Sequence, residues 1–144
     1  MEHLAIMKKS WGLTQKILIG KKTIESRWYK TKYPPFDKVK VGDAVYFKDS
    51  GEPVKLKAEV SEVKQFSGLN PIKVRSILEE YGKRDGIEKQ NFDEFFDMFK
   101  NKKYCILIFL RNPVAVKPFK IKKKGYGSMS SWIRINKIDD IKEN

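Results

Sequence analysis

Gly20-Lys21-Lys22-Thr23-Ile24-Glu25-Ser26-Arg27 is the stretch on which the fold turns. Gly20 suits the left-handed residue that commonly ends a helix. From Thr23 to Lys30 the chain alternates, with Thr23, Glu25, Arg27 and Tyr29 on one face and Ile24, Ser26 and Trp28 on the other. The stretch therefore predicts a junction at which a helix hands over to a strand. Upstream, Ser10 is the predicted N-cap of a helix from Trp11 to Ile19, with Leu13, Ile17 and Leu18 facing inward. A short strand, His3 to Met7, is predicted before it.

Downstream, Tyr33-Pro34-Pro35 breaks the strand, because proline cannot donate to a ladder. The turns Val41-Gly42-Asp43 and Asp49-Ser50-Gly51-Glu52-Pro53 bracket a strand from Ala44 to Lys48, and Val54 to Phe66 alternates as another. Asn70-Pro71 is an N-cap followed by proline at the first helical position. Val74, Ile77, Leu78 and Tyr81 then follow at helical spacing, and Gly82 closes the helix. Asn91 and Glu94 resemble a capping box, and Phe92, Phe95, Phe96 and Phe99 form a stripe expected in the core. Tyr104 to Leu110 is continuous and apolar, as in a strand buried on both faces. Val114 to Ile121 and Trp132 to Ile135 are the last predicted strands. This order predicts an α+β fold: a curled, mostly antiparallel sheet with helices packed outside it.

The 144 residues fit one domain, 1–144, with 40% hydrophobic and 12% aromatic residues to build a core. Cys105 is alone inside an apolar strand, so no disulfide framework is expected and a reducing, cytoplasmic setting is predicted. With His3 the single histidine, a zinc site of the usual ligands cannot be assembled, and no metal or cofactor is predicted. No apolar run approaches the roughly 18 residues that cross a bilayer. Lys8 and Lys9 interrupt any signal-peptide core, so no membrane partner is expected. The charge is more informative: 31 Lys+Arg against 18 Asp+Glu give +13. Met98 through Ile138 holds no acidic residue, whereas Asp85 to Asp97 holds five acids against Lys89 alone. Segregated basic charge favours a polyanionic partner, bound through phosphate neutralisation.

The opening octapeptide matches GxKxxExR at Gly20, Lys22, Glu25 and Arg27, and so resembles the signature of the ASCH family, in the PUA-like superfamily. Pro118-Phe119, Lys123-Lys124-Gly125-Tyr126-Gly127 and Ser131-Trp132 are similar to the ending of small archaeal, stand-alone ASCH proteins. The resemblance implies a PUA-like pseudo-β-barrel with a helical insertion at about 70–101. It also implies a cleft beside the motif that binds RNA and receives a single-stranded, flipped or modified base.

Within that frame, the candidate nucleic-acid contacts are Lys21, Lys22, Glu25, Arg27, Tyr29, Lys122, Lys123, Lys124, Tyr126, Ser128, Ser130 and Trp132. An ammonium can meet a phosphate, a guanidinium can grip one bidentately, and a carboxylate can accept from an exocyclic amine. Aromatic faces stack on unstacked bases, and a glycine-punctuated loop approaches phosphate closely. Tyr29 shares the face of Glu25 and Arg27 and is the expected stacking residue, while Trp28 has the parity of Ile24 and is expected in the core. Two readings of Glu25 and Arg27 stand side by side: ligand contacts, or an internal salt bridge plugging the barrel mouth.

The expected partner is RNA, transfer or single-stranded, with DNA an alternative. The rival function is a small metal-independent hydrolase of modified nucleosides or RNA, an N4-acetylcytidine amidohydrolase or a ribonuclease. The amidohydrolases of the family carry GxKTxTxR; here Lys22, Thr23 and Arg27 are kept, but Glu25 replaces the second threonine. Lys22 and Glu25 would then be the oxyanion stabiliser and general base. A protein-docking role for the acidic, Phe-striped segment 91–100 is a third reading.

Overall fold

A computed structural model describes residues 1–122 and 131–143. The candidates Lys123, Lys124, Tyr126, Ser128 and Ser130 lie outside the described residues. The elements run β1 (Glu2–Met7), α1 (Leu13–Leu18), β2 (Ile24–Tyr29), β3 (Ala44–Asp49), β4 (Val54–Phe66), α2 (Pro71–Tyr81), α3 (Phe92–Phe99), β5 (Tyr104–Phe119) and β6 (Trp132–Ile135). The strands form one sheet in the order β2-β5-β4-β3-β1-β6. Only β1 and β3 pair parallel; every other neighbour is antiparallel. The long β4–β5 ladder shifts register between Val54 and Leu56, Lys57 and Glu59, and Val60 and Glu62. Such bulges bend strands and increase twist, which curls the sheet into a PUA-like half-barrel with helices packed outside.

The apolar run of β5 explains the layers. Ile106, Ile108 and Leu110 face the concave core with Ala5, Val45, Phe47, Leu56 and Val60, and α1 closes it with Leu13 and Ile17. Cys105, Leu107 and Phe109 point the other way, under Val74, Ile77 and Leu78 of α2 and Phe95 of α3. Its first half, Cys105 to Leu110, is thus buried on both faces, as its composition requires, whereas the residues from Arg111 on are exposed or half-buried. A third cluster, Leu4, Tyr46, Val54, Ile133 and Ile135 with Ile138 and Ile141, seals the β6 end.

Three local expectations are corrected. Ser10 does not cap a helix: Lys9–Trp11 makes one 3-10 turn, and Gly12 at φ 64° separates it from α1. A glycine at positive φ pays no Cβ penalty, so the single helix expected over Trp11–Ile19 divides there. The Asn91–Glu94 capping box does not form, because a 3-10 turn, Lys89–Asn91, leads directly into α3 and the Asn91 side chain makes no cap bond. The two strands expected between Tyr104 and Ile121 are one, since Asn112 takes φ 53° and lets β5 pass without a break. Elsewhere the expected signals hold: Asn70 Oδ1 accepts from the Lys73 N–H at 2.8 Å, and Gly20 follows α1 at φ 82°.

Candidate functional site

The two ends of the sheet, β2 and the β1–β6 pair, face each other across an opening that Arg27 spans. From β2, Arg27 Nη1 donates to Ser131 Oγ at 3.1 Å and Ser131 O at 3.3 Å, and Nη2 reaches Ile6 O at 3.4 Å. Its guanidinium lies 5.3 Å from the centre of the Trp132 ring. Inside this opening is a cavity of about 470 Å³, within the usual range for small-molecule sites of about 300–1,000 Å³. One wall is aromatic, from Trp11, Trp28, Phe95 and Phe99; the other carries the charged residues of the motif. Trp28 stacks on Phe99 with ring centres 4.7 Å apart, and Trp11 meets Phe95 edge-on at 5.1 Å.

The polar wall is a closed network. Lys22, only 2% exposed, follows Gly20 on the link from α1 to β2, and its N–H bonds Lys16 O at 3.0 Å. Its Nζ donates at 2.6 Å to Ile24 O, Asp85 O and Asp85 Oδ1, and lies 3.1 Å from Glu25 Oε1. The other Glu25 oxygen accepts from Arg27 Nε at 2.9 Å. Asp85 Oδ2 accepts from Ser26 Oγ at 2.5 Å, and Ser26 Oγ accepts from Trp28 Nε1 at 3.0 Å.

Asp85 arrives from the turn after α2, where its N–H bonds Tyr81 O at 2.9 Å. Gly86, at φ 86°, is required beside it: a Cβ there would lie 3.2 Å from both Leu13 Cδ2 and Lys22 Cδ. Lys16 Nζ fastens the same turn to α1 through Gly86 O at 2.9 Å.

Burial and charge oppose each other at every member. Burial alone would drive the Lys22 ammonium towards neutrality, but Asp85 and Glu25 outweigh it and raise its pKa above the ordinary value. Burial pushes the Glu25 carboxyl up, yet Lys22 and Arg27 prevail and hold it below the usual range. For Asp85 burial wins, reinforced by the Glu25 charge against the pull of Lys22, and its pKa is raised.

The fold therefore brings together Lys22, Glu25, Arg27 and Trp132 from the residues singled out in the sequence. Lys21 and Lys122 are exposed and lie away from the cavity lining, as does half-buried Tyr29, which tilts against Tyr33 at 5.7 Å. Trp132 is buried, with Nε1 donating to His3 Nδ1 at 3.1 Å. Glu25 and Arg27 form an internal salt bridge, and both also line the cavity. Sequence reasoning missed Asp85, Ser26 and Trp11, and assigned Phe95, Phe99 and Trp28 to the core alone. Trp28 and Phe95 are indeed core residues, but their cavity-facing edges carry no periodicity signal of their own. Among the described residues no cluster of three or more metal-ligating side chains occurs. No helix among them is long and apolar enough to cross a membrane.

No protein-family model and no curated protein matches the sequence. Solved structures do match the fold. The ASCH protein of Zymomonas mobilis is 16% identical with a TM-score of 0.66, covering 94% of this chain and 88% of that one. A point mutant of the same protein superposes at a TM-score of 0.69 over 96% and 93% of the two chains. The N-terminal domain of McrB from Staphylothermus marinus matches at 14% identity and a TM-score of 0.54, over 96% and 90%.

Proposed function

We propose that this chain, which has the ASCH fold, is a nucleic-acid-binding module, with RNA its expected partner, whose cavity beside Glu25 and Arg27 receives an unstacked base. One observation carries the reading: a cavity of about 470 Å³ with an aromatic wall opens at the motif of a chain bearing a net charge of +13. Single-stranded nucleic acid is held by such a combination, in which basic groups follow the backbone and aromatic faces take bases. The exposed candidates Lys21 and Lys122 belong to the backbone part of this scheme, together with Lys8 at the cavity rim. The test is fluorescence anisotropy with labelled transfer RNA and single-stranded RNA across a salt titration. Binding that weakens steeply with salt, and that Trp11→Ala weakens further, supports the reading; no binding at low salt defeats it.

A second reading, hydrolysis of a modified nucleoside or RNA, is favoured by one feature. Glu25 and Asp85 flank a single ammonium, and their pKa values are displaced in opposite directions. Pairs of carboxyls pushed apart in this way divide base and acid roles between them. Acetate released from N4-acetylcytidine by the purified protein, and lost in Glu25→Gln, would decide for it.

A further inference from the structure

The sheet ends at β2, and its outer edge opens into the cavity. The register settles which main-chain groups lie on that edge. Leu110 N–H donates to Thr23 O at 2.8 Å, so the Thr23 carbonyl, and with it the backbone groups of Glu25 and Arg27 at alternate positions, turn toward β5, while the Thr23 N–H, ahead of the strand, donates to Arg84 O at 2.8 Å. Ile24 turns the other way: its N–H donates to Arg84 O at 3.0 Å, and its carbonyl accepts from Lys22 Nζ at 2.6 Å. Ser26 and Trp28 follow Ile24 by two and four positions and share its orientation. Their N–H and C=O groups therefore point off the free edge. No described strand pairs there, and both residues line the cavity.

The charged groups are placed the opposite way. Lys22 Nζ is surrounded by four protein oxygens, both Glu25 oxygens face cations, and both Asp85 oxygens accept bonds. Two cations and two carboxylates compensate one another, so the network brings no surplus charge to attract an ion. Among the described residues, the hydrogen-bonding capacity left over in this wall is main-chain. Partly buried N–H and C=O groups without partners are costly, which makes them a recognition element when a ligand supplies the complement.

We propose that the cavity takes an uncharged planar heterocycle with an amide-like edge, a donor beside an acceptor, and that the Ser26 backbone reads that edge while Trp28 extends it. The lactam of uracil or guanine and the amino–ring-nitrogen edge of adenine or cytosine have this form. An extended residue presents its N–H and C=O side by side, which is how it exchanges two bonds with an opposite strand. Phosphates remain outside, at the basic rim. A peptide adding as a strand fits less well: Ile24 is already satisfied and Arg27 crosses the opening to Ser131, leaving an open edge too short for strand addition. The inference rests on the nucleic-acid reading above and names the part of the ligand that the cavity recognises.

The experiment is a titration of the ¹⁵N-labelled full chain with the four free nucleosides, followed at the Ser26 and Trp28 amide signals. At least one nucleoside is expected to shift both signals and to slow their hydrogen exchange. Ser26→Ala removes only the hydroxyl, whereas Ser26→Pro also removes an N–H that the ladder does not use. The best nucleoside is expected to bind Ser26→Pro roughly tenfold more weakly than Ser26→Ala, the effect of one hydrogen bond. Equal affinity for the two variants, or no nucleoside that protects the two amides, overturns the proposal. If Ser26→Pro loses its dispersed spectrum, amide protection in the unaltered chain decides. RNA binding without nucleoside protection would sink this inference alone. Protection without RNA binding would leave it standing and sink the nucleic-acid reading instead.

Discussion

Lys22 Nζ lies 2.6 Å from Asp85 Oδ1, a contact between residues 63 apart in the chain and both buried. It ties the link that leads into β2 to the turn that follows α2, and so holds the polar wall of the cavity together. A buried ion pair adds little over an apolar pair of the same shape, but removing one partner strands the other.

Lys22→Met is accordingly expected to destabilise the fold by about 3–5 kcal/mol, because Asp85 loses its cation. Lys22→Met combined with Asp85→Leu is expected to recover a good part of that loss, since neither charge then remains alone. Urea unfolding of the two single variants and the double variant measures the coupling. Additive losses would show that the contact contributes little to the fold.

Gly86→Ala tests the close approach beside the pair. At φ 86° any side chain is strained by roughly 1–2 kcal/mol, and here the added Cβ also presses on Leu13 and Lys22 at 3.2 Å. Gly68→Ala, at φ 61° with nothing within 4 Å, carries the backbone strain alone. Gly86→Ala is thus expected to be the more destabilising of the two, and the difference in urea midpoint between them isolates the packing part.

These contacts show where the sequence was legible. The junction at Gly20 and the alternation from Thr23 specify β2 and the common face of Glu25 and Arg27, because local periodicity and one backbone preference suffice for them, whereas its register against β5 needs the folded sheet. The double burial in the first half of β5 was equally readable from the apolar run Tyr104 to Leu110. Asp85 was not, since an aspartate in a short turn looks solvated until the sheet curls and sets it against Lys22. Trp11 was hidden by Gly12: read as the first residue of one helix it lies outside the inward set Leu13, Ile17 and Leu18, whereas it ends a separate 3-10 turn before Gly12 and lines the cavity. Phe99 carries the helical spacing of a core residue, and only the stacking on Trp28 shows its second surface.

His3 gives a pH dependence with a definite sign. It is fully buried, and Trp132 Nε1–H donates to its Nδ1, so its own proton sits on Nε2 and is donated to Asp43 Oδ2 at 2.8 Å. Burial lowers its pKa below 6.5 in spite of the attraction of Asp43, and Arg134 and the N-terminal amine add to the lowering. In the window below 6.5 the unfolded chain takes a proton that the folded chain refuses. The stability His3 contributes is therefore complete above pH 6.5 and lost as the pH falls through the folded pKa. Urea midpoints measured down from neutral pH are expected to fall in the wild type, and more shallowly in His3→Gln. Parallel slopes would mean that another group titrates.

Trp11 separates the two parts of the proposed interface. It stands at the end of a 3-10 turn rather than within α1, and it meets Phe95 edge-on at the cavity wall with Lys8 Nζ 5.1 Å from its ring centre. Loss of an aromatic face that stacks on a base costs about 1–3 kcal/mol, and stacking is not itself a phosphate contact. Trp11→Ala is therefore expected to weaken RNA binding by that amount at every salt concentration, leaving the slope of log affinity against log salt unchanged. Lys21→Ala, which removes an exposed charge outside the cavity, is expected to do the reverse: a small loss with a slope shallower by up to roughly 0.7 for a single strand. Anisotropy titrations of both variants at four salt concentrations distinguish the two behaviours. If Trp11→Ala altered only the slope, the aromatic wall would be packing for the fold, and the base would have to lie elsewhere on the basic surface.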